Sequence, residues 1–369
     1  MQMMQMKPDV DPAGKKPMGR LAKTAVVFMV VQIVFWAVLF SILALKSTNE
    51  KGVRLFLLNH APDELLVVNA YTGQLERRRA IADGLRQLVF STDGKYAYIS
   101  NAVDVKNKVT VLDANSLLVT ERIEVDGIPQ DMAILEDNTR LVVVNGARTD
   151  FMANGFDVYD LTQDLGKARK PILYRAREMK LVDNIQYDPV AGYIYAIDSK
   201  DSRLWVYSFA ERKLVDQIEL NVAPVDMYFP PEGPYFFVST IRQEMINVID
   251  RNTHEIVKRI KVGRCRQITS DRAGSILYVP VSEKKQLAVV DVNKGVMLGF
   301  VDLPLRCEVI EISPYYDRLF LVDSSGEGWL LALDLNSIDL ENHTVKIIYE
   351  EMLKGEFRDI DVRPIGGSA

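Results

Sequence analysis

The sequence predicts an all-β fold: a seven-bladed β-propeller closed by its C-terminal strand and preceded by one transmembrane α-helix. Three observations carry that prediction. The first is a short apolar strand ending in Asp or a stand-in. It recurs seven times, at 65–69 (LLVVN), 109–113 (VTVLD), 156–160 (FDVYD), 204–208 (LWVYS), 246–250 (INVID), 287–291 (LAVVD) and 330–334 (LLALD). The end points lie 44, 47, 48, 42, 41 and 43 residues apart, a spacing that suits a propeller blade. The second is that the two ends complement each other. Residues 53–59 read as the second strand of a blade without a first, and 357–362 (FRDIDV) as a first strand without a second. Joining them completes seven sheets and removes the unpaired edges that invite aggregation. The third is the run 24–45, 22 residues without a charge and long enough to span a bilayer core as a helix.

Taken in chain order, residues 1–20 have no periodicity and read as a disordered cytoplasmic tail. A membrane helix follows over 21–46, a linker over 47–52, the propeller over 53–363 and a short tail over 364–369. A cleaved signal peptide is the alternative for the helix, but its apolar core is about 7–15 residues long with a small-x-small site behind it. Here the run is longer and Leu45, Lys46 and Ser47 follow. Lys7, Lys15, Lys16, Arg20 and Lys23 against Asp9 and Asp11 give residues 1–23 a charge of +3, with Lys46, Lys51 and Arg54 beyond the run. The positive-inside rule then places the tail in the cytoplasm and the propeller across an inner membrane, in the periplasm or outside the cell. Gln32 and Trp36 are candidates for contact with other membrane helices, because a mid-span amide seeks a partner. A plain anchor in the lipid bilayer is the simpler role.

Within each predicted blade a first strand such as 130–135 or 225–229 ends in a turn rich in Gly, Asp or Pro. Examples are Thr92-Asp93-Gly94 and Pro231-Glu232-Gly233. The second strands are 96–101, 141–145, 193–198, 235–239, 277–281 and 319–323, and the recurring motif is the third. Its terminal Asp can cap the turn that follows, and strands such as 119–125 and 257–262 close the unit. The β-branched and aromatic residues suit strands packed on both faces.

Residues 246–279 read INVIDRNTHEIVKRIKVGRCRQITSDRAGSILYV. This resembles the YVTN-type β-propeller repeat: a Val-rich strand, an Asp-Thr-x-Thr-type turn, Val-Gly-x-x-Pro, then Asp-Gly-x-x-Leu-Tyr-Val. The resemblance spans most of the chain and is closest over 83–145 and 221–303. It implies a propeller, often extracytoplasmic, in a family that includes surface-layer proteins, lactonase-like enzymes and binding modules. Two departures stand out. The Pro after Val-Gly is kept as Pro129 and Pro224 but replaced by Cys265 and Cys307, and 146–180 carries an insertion.

Composition excludes some functions. The chain has a net charge of −5, so a tail at +3 leaves −8 for the remainder, which argues against a nucleic-acid partner. His60, His254 and His343 each stand alone in a predicted turn, and there is no C-x-x-C-H. The three tryptophans are too few for a quinoprotein-type propeller. No G-x-S-x-G, P-loop or G-x-G-x-x-G is present, so neither a metal nor a cofactor is expected. Cys265 and Cys307 are one repeat apart at equivalent positions in adjacent blades. A disulfide and two buried thiols both satisfy that placement.

The polar residues that open the first strands are the candidate site. They are Arg86-Gln87, Gln130-Asp131, Asp183-Asn184, Val225-Asp226, Arg266-Gln267, Glu308 and Arg358-Asp359. First strands are innermost, so these side chains should ring one mouth of the channel. Arg86, Asp131, Asp226, Arg266, Arg358 and Asp359 are the predicted ligand-binding set, against the plainer reading of a mutually paired ring that plugs the axis. The insertion carries Lys167, Arg169, Lys170, Arg175 and Arg177, a basic cluster suited to anionic lipid or an acidic partner, or else a solvated hairpin. The leading expectation is a non-enzymatic scaffold or accessory subunit docking a partner within a membrane protein complex or on another envelope protein. The alternative is a lactonase-like periplasmic hydrolase, or a sensor of small anions, that uses the channel mouth.

Overall fold

The computed structural model describes Gln32 and residues 52–101, 107–135, 138–146, 155–162, 170–179, 182–240, 242–315, 317–323 and 325–364. The chain divides into two units, residues 1–49 and 50–369. Of the first, only Gln32 is described; it is helical and exposed. The predicted membrane helix, Trp36 included, otherwise lies outside the described residues. Among those residues no helix is long and apolar enough to cross a membrane.

The second unit is a seven-bladed propeller of four-stranded antiparallel sheets. The blades are numbered here from the one that holds Val53–His60. The inner strands of blades one to seven are Phe357–Pro364, Leu85–Phe90, Ile128–Ile134, Asn184–Asp188, Pro224–Tyr228, Thr269–Ser270 and Cys307–Ile312. Closure occurs as the chain ends imply. The last strand pairs antiparallel with Val53–His60, with Leu55 opposite Val362 and Leu57 opposite Ile360. Buried Asn59 locks the junction, its side-chain oxygen accepting from the N–H groups of Ala61 at 3.1 Å and Glu356 at 2.9 Å.

Strands of 2–8 residues with both faces covered cannot be stable alone, and the core shows where their partners lie. Every hydrophobic cluster straddles a seam between blades. One packs Leu57 and Val68 of blade one against Phe320 and Leu330 of blade seven. Another packs Tyr195 and Leu204 of blade four against Met227 and Phe236 of blade five. Each fully buried Leu or Phe contributes about 1.5–3 kcal/mol, so stability resides in the seams. The recurring Asp acts as predicted. Oδ1 of Asp113 accepts from the Ser116 N–H at 2.7 Å, and Oδ1 of Asp250 from Asn252 and Thr253 at 2.8 and 2.9 Å. These hydrogen bonds favour the ionised carboxylates and hold both below the ordinary range.

One pair of alternatives is resolved and one expectation is corrected. Cys265 and Cys307 are buried free thiols, not a disulfide. Each sulfur points into its own seam, Cys265 between blades five and six and Cys307 between six and seven, so equivalent positions do not face each other. Lys170 does not face a lipid or partner. It is 5% exposed and pairs with Glu121 of blade two at 2.8 Å. Arg175 is spent on Asp126 and Asp157, and Arg177 on Asp157. Lys167 and Arg169 lie outside the described residues.

Candidate functional site

Most inner strands open with a shared irregularity. Pairing with the second strand slips between Pro129 and Asp131, between Pro224 and Asp226, and between Cys307 and Val309. Such a bulge bends the strand and re-aims the following side chain. The slip recurs in blades one and two, whereas blades four and six pair without one; the equivalent positions in blades one to seven are Asp359, Gln87, Asp131, Asn184, Asp226, Gln267 and Val309.

At four seams that side chain clasps the neighbouring blade. Asp359 Oδ2 accepts from the Leu88 N–H at 3.1 Å, and Gln87 Oε1 from the Met132 N–H at 2.5 Å. Asp131 Oδ2 accepts from the Ile185 N–H at 2.7 Å, with its own Met132 N–H on Oδ1 at 2.8 Å. Gln267 Oε1 accepts from the Ile310 N–H at 3.1 Å. Among the described residues, Asn184 and Asp226 make no such clasp, and Val309 has no polar atom to make one. The side-chain oxygen of Asn184 is buried without a partner.

Where clasps are missing, the mouth widens into a pocket of about 470 Å³. Asn184, Asp226, Arg266, Glu308, Asp323 and Arg358 are among its lining residues. Arg266 is fixed from behind, because the Ser239 hydroxyl donates to its carbonyl at 2.7 Å. Its guanidinium is 61% exposed and stands 3.4 Å from Glu308. Of the predicted set, the structure brings Asp226, Arg266 and Arg358 into one pocket. Asp131 and Asp359 are set apart as clasps. Arg86 stands on the clasped side and donates to Gln130 at 3.1 Å.

The carboxylates here lie deep in the molecule while keeping an edge on the channel. Burial pushes Asp226 up to about 7, opposed by the Met227 N–H and Arg266 and reinforced by Asp359. Burial likewise raises Asp359 to about 7 and Asp131 to about 8. Further down the axis it raises Glu311 well above the carboxylate range and also raises Asp361, which Arg363 grips through Nε at 2.8 Å and Nη2 at 2.9 Å.

Two lining residues were missed from the sequence: Asp323, the last residue of a second strand, and Glu356, in the loop before the last inner strand. Asp323 is held by the N–H groups of Gly328 at 2.9 Å and Trp329 at 2.8 Å. His60, expected as an exposed turn residue, ends a strand. It is half-buried, and its Nε2 is buried without a partner. Burial, then Arg358, lowers its pKa and leaves the ring neutral. The available signal was topological: ends of second strands share the mouth with starts of first strands. Among the described residues, no group of three His, Cys, Asp or Glu is placed to hold a metal.

No family model matches the chain, and no curated protein sequence does. Solved structures do match. A periplasmic gluconolactonase of Pseudomonas aeruginosa superposes with a TM-score of 0.65 at 14% identity, covering 85% of this chain and 99% of that one. A Bacteroides fragilis protein assigned as a 6-phosphogluconolactonase gives 0.64 at 12%, covering 86% and 99%. The dihydro-haem d1 dehydrogenase NirN, solved in complex with DHE, gives 0.63 at 12%, covering 85% and 75%. Such identities establish the fold alone. The expectation of a non-enzymatic docking scaffold is nevertheless corrected, because these propellers are named as enzymes and lactonases recur among them.

Proposed function

We propose that this propeller is a lactonase-type hydrolase that works in the open half of its channel mouth. The observation that carries the reading is the placement of Asp226. A half-buried carboxyl raised to about 7 borders a pocket of about 470 Å³ together with Arg266 and Arg358. A base poised near neutral pH combines a useful ionised fraction with a strong pull on the proton. The similarity to proteins named as gluconolactonases supports the choice of a cyclic ester.

The chemistry balances within the pocket. Asp226 takes a proton from a water as the water oxygen attacks the lactone carbonyl carbon. The carbonyl electrons move onto oxygen, where Arg266 or Arg358 stabilises the charge. Collapse of the intermediate breaks the ring C–O bond, and the leaving alkoxide recovers the proton from Asp226. One water is consumed and a hydroxy acid is released. Asn184 offers its free side-chain oxygen to a substrate hydroxyl.

The test is pH-stat hydrolysis of glucono-1,5-lactone by the full chain, read against the spontaneous rate. Turnover by the wild type, reduced about 10²–10⁴-fold in a folded Asp226→Asn variant, supports the reading. Binding of gluconate without turnover would overturn it and leave a small-anion sensor. The location carries over as part of the proposal: residues 21–46 as an anchor with the propeller outside the cytoplasm, supported by the uncharged run and the charge of +3 before it. Protease access to the propeller in spheroplasts checks this.

A further inference from the structure

A second pocket, of about 380 Å³, opens at the seam between blades three and four. It lies at the end of the blades remote from the mouth. Arg140, on its wall, begins the strand whose other end, Gly146, pairs with Ile128 at the mouth. Four lining side chains interleave across the seam: Arg140 and Tyr174 from blade three, Phe209 and Arg212 from blade four. The Arg140 guanidinium lies 4.9 Å from the Phe209 ring centre, and that of Arg212 lies 5.2 Å from Tyr174. The two rings are 5.8 Å apart. A guanidinium held over a ring face keeps its N–H edge available for an oxyanion.

Two residues point to a ligand. The Tyr174 hydroxyl is buried and, among the described residues, has no hydrogen-bond partner. Burial also raises its pKa, so it remains a donor. Leaving a buried hydroxyl unpaired is costly, and an entering acceptor removes that cost. Arg212 is exposed, and among the described residues its one direct contact of this kind is the Tyr174 ring. Arg140 and Asp160 have further interactions, which leaves Tyr174 and Arg212 to receive a ligand. Two guanidiniums against the Asp160 carboxylate leave the walls at +1, and Leu173 and Ala210 add apolar surface.

We propose that this pocket binds a monoanionic oxyanion, a carboxylate or phosphodiester, carried on a small apolar body. The site is independent of the mouth and of the hydrolase reading. The full chain is titrated calorimetrically with butyrate and with diethyl phosphate, and tested for co-sedimentation with phosphatidylglycerol and with phosphatidylcholine vesicles. Arg212→Gln should weaken binding about 10–100-fold, the loss of a charged hydrogen bond. Tyr174→Phe should weaken it several-fold while leaving the ligand-free protein no less stable. Asp226→Asn should bind as the wild type, so failure here and failure of the hydrolase reading are distinguishable. Arg212-dependent binding of the soluble probes identifies a free ligand as the source. Arg212-dependent binding of phosphatidylglycerol vesicles alone identifies a lipid headgroup. Absence of Arg212-dependent binding to any probe overturns the proposal.

Discussion

Asp131 and Asp226 are the same residue at the same position of blades three and five, followed in each case by Met. Their fates differ. Asp131 is 3% exposed and spends both oxygens on backbone N–H groups, one of them in blade four. Asp226 makes no clasp to blade six and faces a pocket with Arg266 and Arg358. The comparison teaches that a propeller can use one repeat position for two purposes. Where the side chain crosses the seam it holds the ring together, and where it does not it is left for chemistry. The arc from blade one to blade four is clasped at each seam, whereas blades four, five and seven lack clasps and border the pocket.

The largest expected effect separates the two aspartates by activity and stability together. Asp226→Asn should remove most turnover yet raise Tm at about pH 8, by about 2–4 °C for each kcal/mol of relieved burial cost. Asp131→Ala should do the reverse. It strands the buried N–H of Ile185 and removes a support of Met132, at about 1–3 kcal/mol per unpaired group, so Tm should fall while the surviving folded protein keeps its kcat. Thermal melts and kinetics on both variants check the contrast. A Tm loss in Asp226→Asn as large as in Asp131→Ala would erase it.

A smaller effect is the pH dependence of stability. Asp131, Asp226 and Asp359 are raised to about 8, 7 and 7, above an unfolded value of about 4. Between those limits the folded state binds more protons than the unfolded state. Their contribution therefore favours folding at low pH and weakens as pH rises through about 7–8. The turn aspartates Asp113 and Asp250 have the opposite sign, because their folded values are depressed. They stabilise above about pH 4, and that stability is lost as pH falls through their folded values. Urea midpoints measured from about pH 4 to 9 should thus decline toward the alkaline end, and less so in Asp226→Asn. The smallest effect sharpens the comparison by adding a clasp. Val309→Gln places in blade seven the side chain that blade six uses at Gln267. Val309 is buried in the seam with blade one, so the new hydrogen bond, about 0.5–1.5 kcal/mol, should be offset by the lost apolar packing; Tm should not rise, while the narrowed pocket raises KM more than it lowers kcat.

Much of the fold was legible because the repeat is physical. A strand pattern every 41–48 residues, with complementary ends, admits few ways to bury both faces of every sheet. The mouth was legible for the same reason, since starts of inner strands must converge. Which residue clasps and which opens was not, because neither Gln-Asp-Met nor Val-Asp-Met carries any sign of what the next blade presents. The thiols show the same limit: one-repeat spacing predicts equivalence but not the seam into which each sulfur turns. Lys170 looked solvent-facing because its partner Glu121 lies in another blade. His60 looked like a turn residue because the strand before it reads apolar through Leu58 and then ends in two polar residues.

The measurement that bears most directly on the central claim is the pH–rate profile of lactone hydrolysis for the wild type beside Asp226→Asn and Asp131→Asn. The account predicts kcat/KM rising through an inflection near 7 in the wild type, kept in Asp131→Asn and abolished with the activity in Asp226→Asn. Turnover that survives in Asp226→Asn with its inflection unchanged would contradict it.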